Sequence, residues 1–199
     1  TQKERQNKQR SKMSVTVIVP AAAGSSDAPP TWMKRLPDGT LVLVSVLRPL
    51  DVANVSRVIV AIAAAHFEKF CHRNATDIVR HVERAMPQLA GRFVVHVIDR
   101  PTRSACETVA VTIRAEGVRG PVFIKDCDGA FAHKVQAANC VVGLVVTAEN
   151  SRGLQCLPHK SFLQYAPSGV LTNITEKCIT SACISVGGYG FLDAEQYVA

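Results

Sequence analysis

Apolar positions in this chain fall into short, β-branched runs, with stretches of helical spacing between them. Val15–Val19 is such a run and ends at Pro20, which predicts a buried first strand. Arg57–Ile62, Phe93–Ile98, Val122–Ile124 and Cys140–Thr147 have the same character. Between the runs, Leu41–Leu50, Ala63–Cys71, Thr76–Met86 and Ser104–Ala115 read as helices. In Thr76–Met86, Ile78, Val79, Val82 and Met86 share one face. Ser104 and Glu107 have the spacing of a capping box. Strands alternating with helices predict a three-layer α/β/α fold around a mainly parallel central sheet. Past residue 147 the pattern changes. Phe162–Tyr165 and Val170–Glu176 flank the turn Pro167-Ser168-Gly169, so an antiparallel hairpin is expected and the sheet is mixed. Cys183–Phe191 reads as a last strand, and Asp193 begins a helix.

The chain has 199 residues, enough for one substantial core, and shows no internal repeat. A single domain is expected over 13–199, with its last helix cut at the chain end. Residues 1–12 form a basic leader that holds +4 of the net charge of +7, so the domain itself is only mildly basic. The leader reads as a disordered, solvated tail. No aromatic residue is interleaved with its charges, which argues against nucleic acid as a partner. The seven cysteines form no CxxC pair and several lie in apolar runs. They read as free thiols in a reducing compartment, which suggests the cytoplasm. The longest apolar run, Val58–Ala65, is far below the roughly 20 residues that span a bilayer. A homo-oligomer or a larger parent polypeptide is left open.

The segment Gly120–Phe131, GPVFIKDCDGAF, carries the clearest chemistry. An apolar strand breaks into Asp126 and Asp128, at the end of a strand where open α/β sheets place their ligands. Two carboxylates one residue apart repel unless a cation or proton lies between them. Asp126 and Asp128 are therefore candidate ligands of Mg²⁺ holding a phosphate. The other reading is a solvated turn. Residues 21–37, rich in Ala, Ser and Pro, are too long for an ordinary connection. Their start, Ala21-Ala22-Ala23-Gly24-Ser25, lets a phosphate approach backbone N–H groups closely. Lys34 is placed to reach a phosphate. Trp32 reads as a plug of this loop onto the core. GxGxxG, GKS, GKT and GxSxG are all absent, which argues against the corresponding dinucleotide, P-loop and hydrolase readings.

In order, the segments IVPAAAGSS, MKRLPDG, RVIVAI, TRSACETV, VFIKDCD, LTNITEKCITSA and ISVGGYGF resemble the sugar-phosphate nucleotidyltransferases of the capsule-biosynthesis type. The resemblance runs collinearly from Val15 to Tyr197. It implies a glycosyltransferase-A-like fold, and transfer of a nucleoside monophosphate from an NTP to a phosphorylated sugar or similar phosphate, with Mg²⁺ and release of pyrophosphate. It further implies that Ala21–Ser25, Lys34, Thr102, Ser104 and Ala105 face the nucleotide. Asp128 would bind metal with Asp126 beside it. Glu176 and Lys177, with Ser185 and Gly187 on the next strand, would hold the acceptor, Lys34 and Lys177 serving catalysis. The chain departs from the family at Ser25, Ser26 and Asp27, where a glycine and an arginine are usual. The alternative is a non-catalytic nucleotide- or sugar-binding module that kept the fold.

Overall fold

A computed structural model describes residues 13–22, 28–72, 74–151 and 157–198. The leader 1–12 and the positions Ala23, Gly24 and Ser25 lie outside the described residues. Strand β1, Val15–Ala21, is buried along almost its whole length, as its β-branched run requires. Helix α1 spans Val42–Leu47, and β2 is the pair Leu50–Asp51. Sequence pattern extends this helix to Leu50. Pro49 prevents that, because it lacks the N–H a continuing helix needs and its ring crowds the preceding turn. β3 is Val55–Ala63, followed by α2, Ala64–Cys71, and α3, Thr76–Ala85. The apolar face of α3 is formed by Ile78 and Val82, both buried.

Strand β4, Phe93–Ile98, leads to α4, Ala105–Ala115. Ser104 caps α4, its Oγ accepting from the Glu107 amide at 3.1 Å. The reciprocal half of the expected box is different: Glu107 accepts from the Arg103 amide at 2.7 Å, drawn there by the Arg103 and Arg100 guanidinium groups. α4 ends in a Schellman motif. Val118 N–H reaches Ile113 C=O at 3.0 Å while Gly117 adopts φ +60°, a conformation that favours glycine. Strand β5, Val122–Lys125, follows, then the two-residue β6, His133–Lys134, and β7, Cys140–Val145. β8, Ser161–Tyr165, β9, Leu171–Glu176, β10, Cys183–Phe191, and helix α5, Ala194–Val198, complete the chain.

The described residues form two compact units, one running up to Cys140 and resuming at Tyr189, the other Val141–Gly188. In the first, β1 pairs in parallel with β3 on one side and β5 on the other, and β3 pairs in parallel with β4. Ile18, Ile59, Val122 and Ile124 face Val109 and Ile113 of α4, and Ala194 of α5 joins this cluster. Arg57 on β3 and His96 on β4 both bind Glu116 at the C-terminal end of α4, tying the helix across two strands. In the second unit, β8 and β9 form the expected antiparallel hairpin, and β10 pairs antiparallel with β8 through Ile184 and Phe162. The fold is thus α/β with a mixed, mainly parallel sheet.

Candidate functional site

All strands of a parallel sheet end at one edge. Here the chain goes from β1 to β3 and β4 on one side, then returns to β5 on the other. The C-terminal ends of β1 and β5 therefore flank a topological switch point, where open α/β sheets leave a crevice. The register Ile18–Ile124 brings both strand ends to that edge. β1 delivers Ala21, 2% exposed, and Ala22. β5 delivers the acidic loop Asp126–Phe131.

Alternation along β5 explains the inside of this loop. Val122 and Ile124 face α4, so Phe123 and Lys125 share the opposite face. Phe123 stacks on the His133 ring, with centroids 5.2 Å apart. Lys125 is 0% exposed. Its Nζ donates to the carbonyl of Asp126 at 2.6 Å and to that of Gly129 at 2.5 Å, and lies 4.6 Å from the Phe131 ring centroid. Burial pushes the Lys125 ammonium down to about 8, against the opposing pull of Asp126 and Asp128. Burial, reinforced by Asp128 and Asp126, pushes the Cys127 thiol up to about 11, so this cysteine is no nucleophile near neutrality. Asp126 is half-buried and Asp128 exposed.

Sequence pattern finds the two acids and misses Lys125. The available signal is a lysine two residues after Phe123 in a strand buried on both faces. Among the described residues no group of three or more His, Cys, Asp and Glu side chains converges as a metal site. The donor set is two carboxylates. That suits Mg²⁺, which binds one or two carboxylates, keeps several waters and takes phosphate oxygens.

The other selected residues fall into two groups. In the first unit, Lys34 is exposed and follows the 3₁₀ turn Thr31–Met33. Its carbonyl accepts from Val42 N–H at 2.9 Å, which fixes its backbone beside α1. Trp32 is 1% exposed and plugs this segment into the core. Thr102 lies in the turn from β4 to α4, its Oγ1 2.7 Å from Thr108 Oγ1. The Ser104 hydroxyl is engaged as the α4 cap, and Ala105 is exposed. A cavity of about 270 Å³ lies beside Trp32, Arg35, His72 and His81, and none of the candidate nucleotide-, acceptor- or metal-binding residues lines it.

In the second unit, Glu176 ends β9 and accepts a hydrogen bond from Ser161 Oγ. Lys177 adopts φ +53°, a left-handed geometry no sequence signal announces, and its N–H donates to Lys160 C=O at 3.1 Å. Both side chains are exposed. Ser185 is 7% exposed and its Oγ accepts from Gly187 N–H at 3.3 Å.

No family model matches the chain, and no curated protein sequence matches it. Solved structures do match. A nucleoside-diphosphate-sugar pyrophosphorylase from Vibrio cholerae RC9 superposes with a TM-score of 0.59 at 17% identity, over 92% of this chain and 75% of that one. An inositol-1-phosphate CTP transferase from T. maritima gives 0.60 at 12% identity, over 94% and 74%. A CMP:2-keto-3-deoxy-manno-octonic acid synthetase complexed with CTP gives 0.60 at 13%, over 92% and 76%. The fold is the one these solved structures have. At these identities the likeness concerns the fold alone. No helix among the described residues is long and apolar enough to cross a membrane.

Proposed function

We propose that this chain is a nucleotidyltransferase that moves a nucleoside monophosphate from an NTP onto a phosphorylated sugar or a related small phosphate. One observation carries the reading: paired carboxylates, Asp126 and Asp128, leave β5 at the switch point of a sheet whose β1 end is lined by small residues. In the reaction an acceptor phosphate oxygen forms a bond to the α-phosphorus. The bond from that phosphorus to the bridging oxygen of the β-phosphate breaks, and pyrophosphate leaves. Asp126 and Asp128 would hold Mg²⁺, which when bound offsets negative charge on the phosphates. In this reading the segment Ala21 to Ser25 supplies backbone N–H groups to the donor, and Lys34 neutralises its phosphates. Thr102, Ser104 and Ala105 border the nucleotide. For the acceptor, the roles the resemblance implies are Glu176 for hydroxyls and Lys177 for the phosphate, with Ser185 and Gly187 as further acceptor contacts. Positioning and electrostatics do the work, with no covalent intermediate.

Two of the similar solved structures, the inositol-1-phosphate CTP transferase and the synthetase complexed with CTP, support a nucleotide substrate. A second reading, a binding module without turnover, is favoured by Ser25, Ser26 and Asp27, where the resembled family carries glycine and arginine. The two are separated by calorimetric titration with each NTP plus Mg²⁺, beside pyrophosphate release with sugar phosphates and phosphocholine. Release that Asp128→Ala abolishes supports the enzyme. Binding of an NTP without release supports the module. No NTP binding at all refutes the enzyme and leaves the sugar-binding form of the module.

A further inference from the structure

Lys125 is the one lysine or arginine among the described residues that is fully buried, and it is buried inside an acidic loop. Burying an ammonium is costly unless its protons are bonded and its charge is matched. Here two protons go to the carbonyls of Asp126 and Gly129, and the Phe131 ring face covers the group at 4.6 Å. The attractive charges facing it are those of Asp126 and Asp128. The loop is thus wound around its own cation. Without that cation, two carboxylates one residue apart would face each other's field with no resident positive charge between them.

We propose that Lys125 is a positioning residue: its ammonium is the resident counter-cation of the acidic loop, holding Asp126 and Asp128 in place before any substrate or metal arrives. It serves the Asp126–Asp128 site of the proposed function and rests on that assignment only for its purpose, since the holding role itself needs no metal. Lysine suits the task better than an aliphatic residue because it bonds the turn's carbonyls and balances its acids at once. It also sets what the site asks of an incoming cation, because one positive charge is already present.

The test is amide hydrogen exchange over residues 126–131 in EDTA, comparing wild type, Lys125→Met and Lys125→Met with Asp128→Asn. Trp32 fluorescence checks that each variant is folded. Methionine keeps the length and apolar stem but carries no charge. Exchange at least tenfold faster in Lys125→Met, returning to within threefold of wild type when Asp128→Asn is added, is the expected result. Removing an acid can repair the loss of a counter-charge but not the loss of packing. Unchanged exchange in Lys125→Met, or a double variant as fast as the single one, overturns the proposal. Should Lys125→Met not fold, the double variant carries the test, because the proposal requires it to fold and its unfolding overturns the proposal. Mn²⁺ is then titrated onto wild type. If the first two results hold and Mn²⁺ leaves exchange untouched, the counter-cation role stands and the metal assignment of Asp126 and Asp128 falls.

Discussion

Gly190 lies in β10 where the chain approaches itself most closely. A Cβ at this position would meet the Ala138 carbonyl oxygen at 2.5 Å and Cys140 Sγ at 2.7 Å. The sulfur can rotate away, but the carbonyl belongs to the backbone and must retreat by close to an ångström. Overpacking of this kind costs about 1–3 kcal/mol. Replacing a strand glycine by alanine returns roughly 0.5–1 kcal/mol of backbone entropy. Gly190→Ala should therefore destabilise by about 1–2 kcal/mol, a lowering of the melting temperature of roughly 2–8 °C at 2–4 °C per kcal/mol. The sole tryptophan, Trp32, is in the same compact unit and fully buried, so its fluorescence reports the melting of that unit. Gly143→Ala is the control. Its Cβ would meet Cys183 Sγ at 2.8 Å, Leu163 Cδ1 at 3.0 Å and the Tyr165 hydroxyl at 3.2 Å, all ends of side chains. These can move, so circular dichroism should show a change within about 0.5 kcal/mol, as for a mild substitution. A Gly190→Ala protein as stable as wild type, or a Gly143→Ala protein more damaged than Gly190→Ala, would refute the reasoning.

Three further outcomes are expected. Glu116→Gln removes the charge that joins Arg57 to His96 and should cost about 1–2 kcal/mol, the lower part of the range for charged hydrogen bonds because Arg57 is partly exposed. A double-mutant cycle with His96→Ala that shows no coupling would contradict this. Bonds from the Arg103 amide, then from the Arg103 and Arg100 side chains, hold Glu107 down to about 2. Its contribution to stability is then complete above its ordinary value of 4.5 and is lost as pH falls toward 2, so carboxyl NMR should show Glu107 titrating well below the free side chain. Lys177 is left-handed, so Lys177→Gly should be about 1 kcal/mol more stable than Lys177→Ala, a ranking that denaturant melts can reverse if the geometry is not held in solution.

The major strands and helices could be read from the chain because each is a run of matching period. Val15–Val19 and Arg57–Ile62 have only one plausible use as β-branched stretches in the middle of a sheet. The acids at 126 and 128 stood out because they interrupt such a run. Lys125 did not, because a lysine at the end of a strand reads as solvated unless one knows that the loop folds back over it. β2 and β6 are two residues each and pair across a long interval, Leu50 with His133 and Asp51 with Lys134, so no local period announces them. The clamp of Arg57, His96 and Glu116 joins three elements far apart in sequence, and spacing carries no trace of it. Pro49 was a readable stop signal that outweighs the apolar character of Leu41–Leu50.

The segment that returns to the first unit has a consequence in time. Ala194 packs against Val109 and Ile113, with Tyr189, Phe191, Tyr197 and Val198 around it, and its N–H bonds Gly120 C=O. All of these later residues are made only after Val141–Gly188 has been synthesised. At about 5–20 residues per second the nascent chain waits seconds with that face of α4 uncovered. Translation speed through residues 141–188 therefore sets how long a bare apolar surface is offered to chaperones or to a neighbouring nascent chain. Synonymous codons that slow this stretch should lower the soluble yield of a protein whose sequence has not changed.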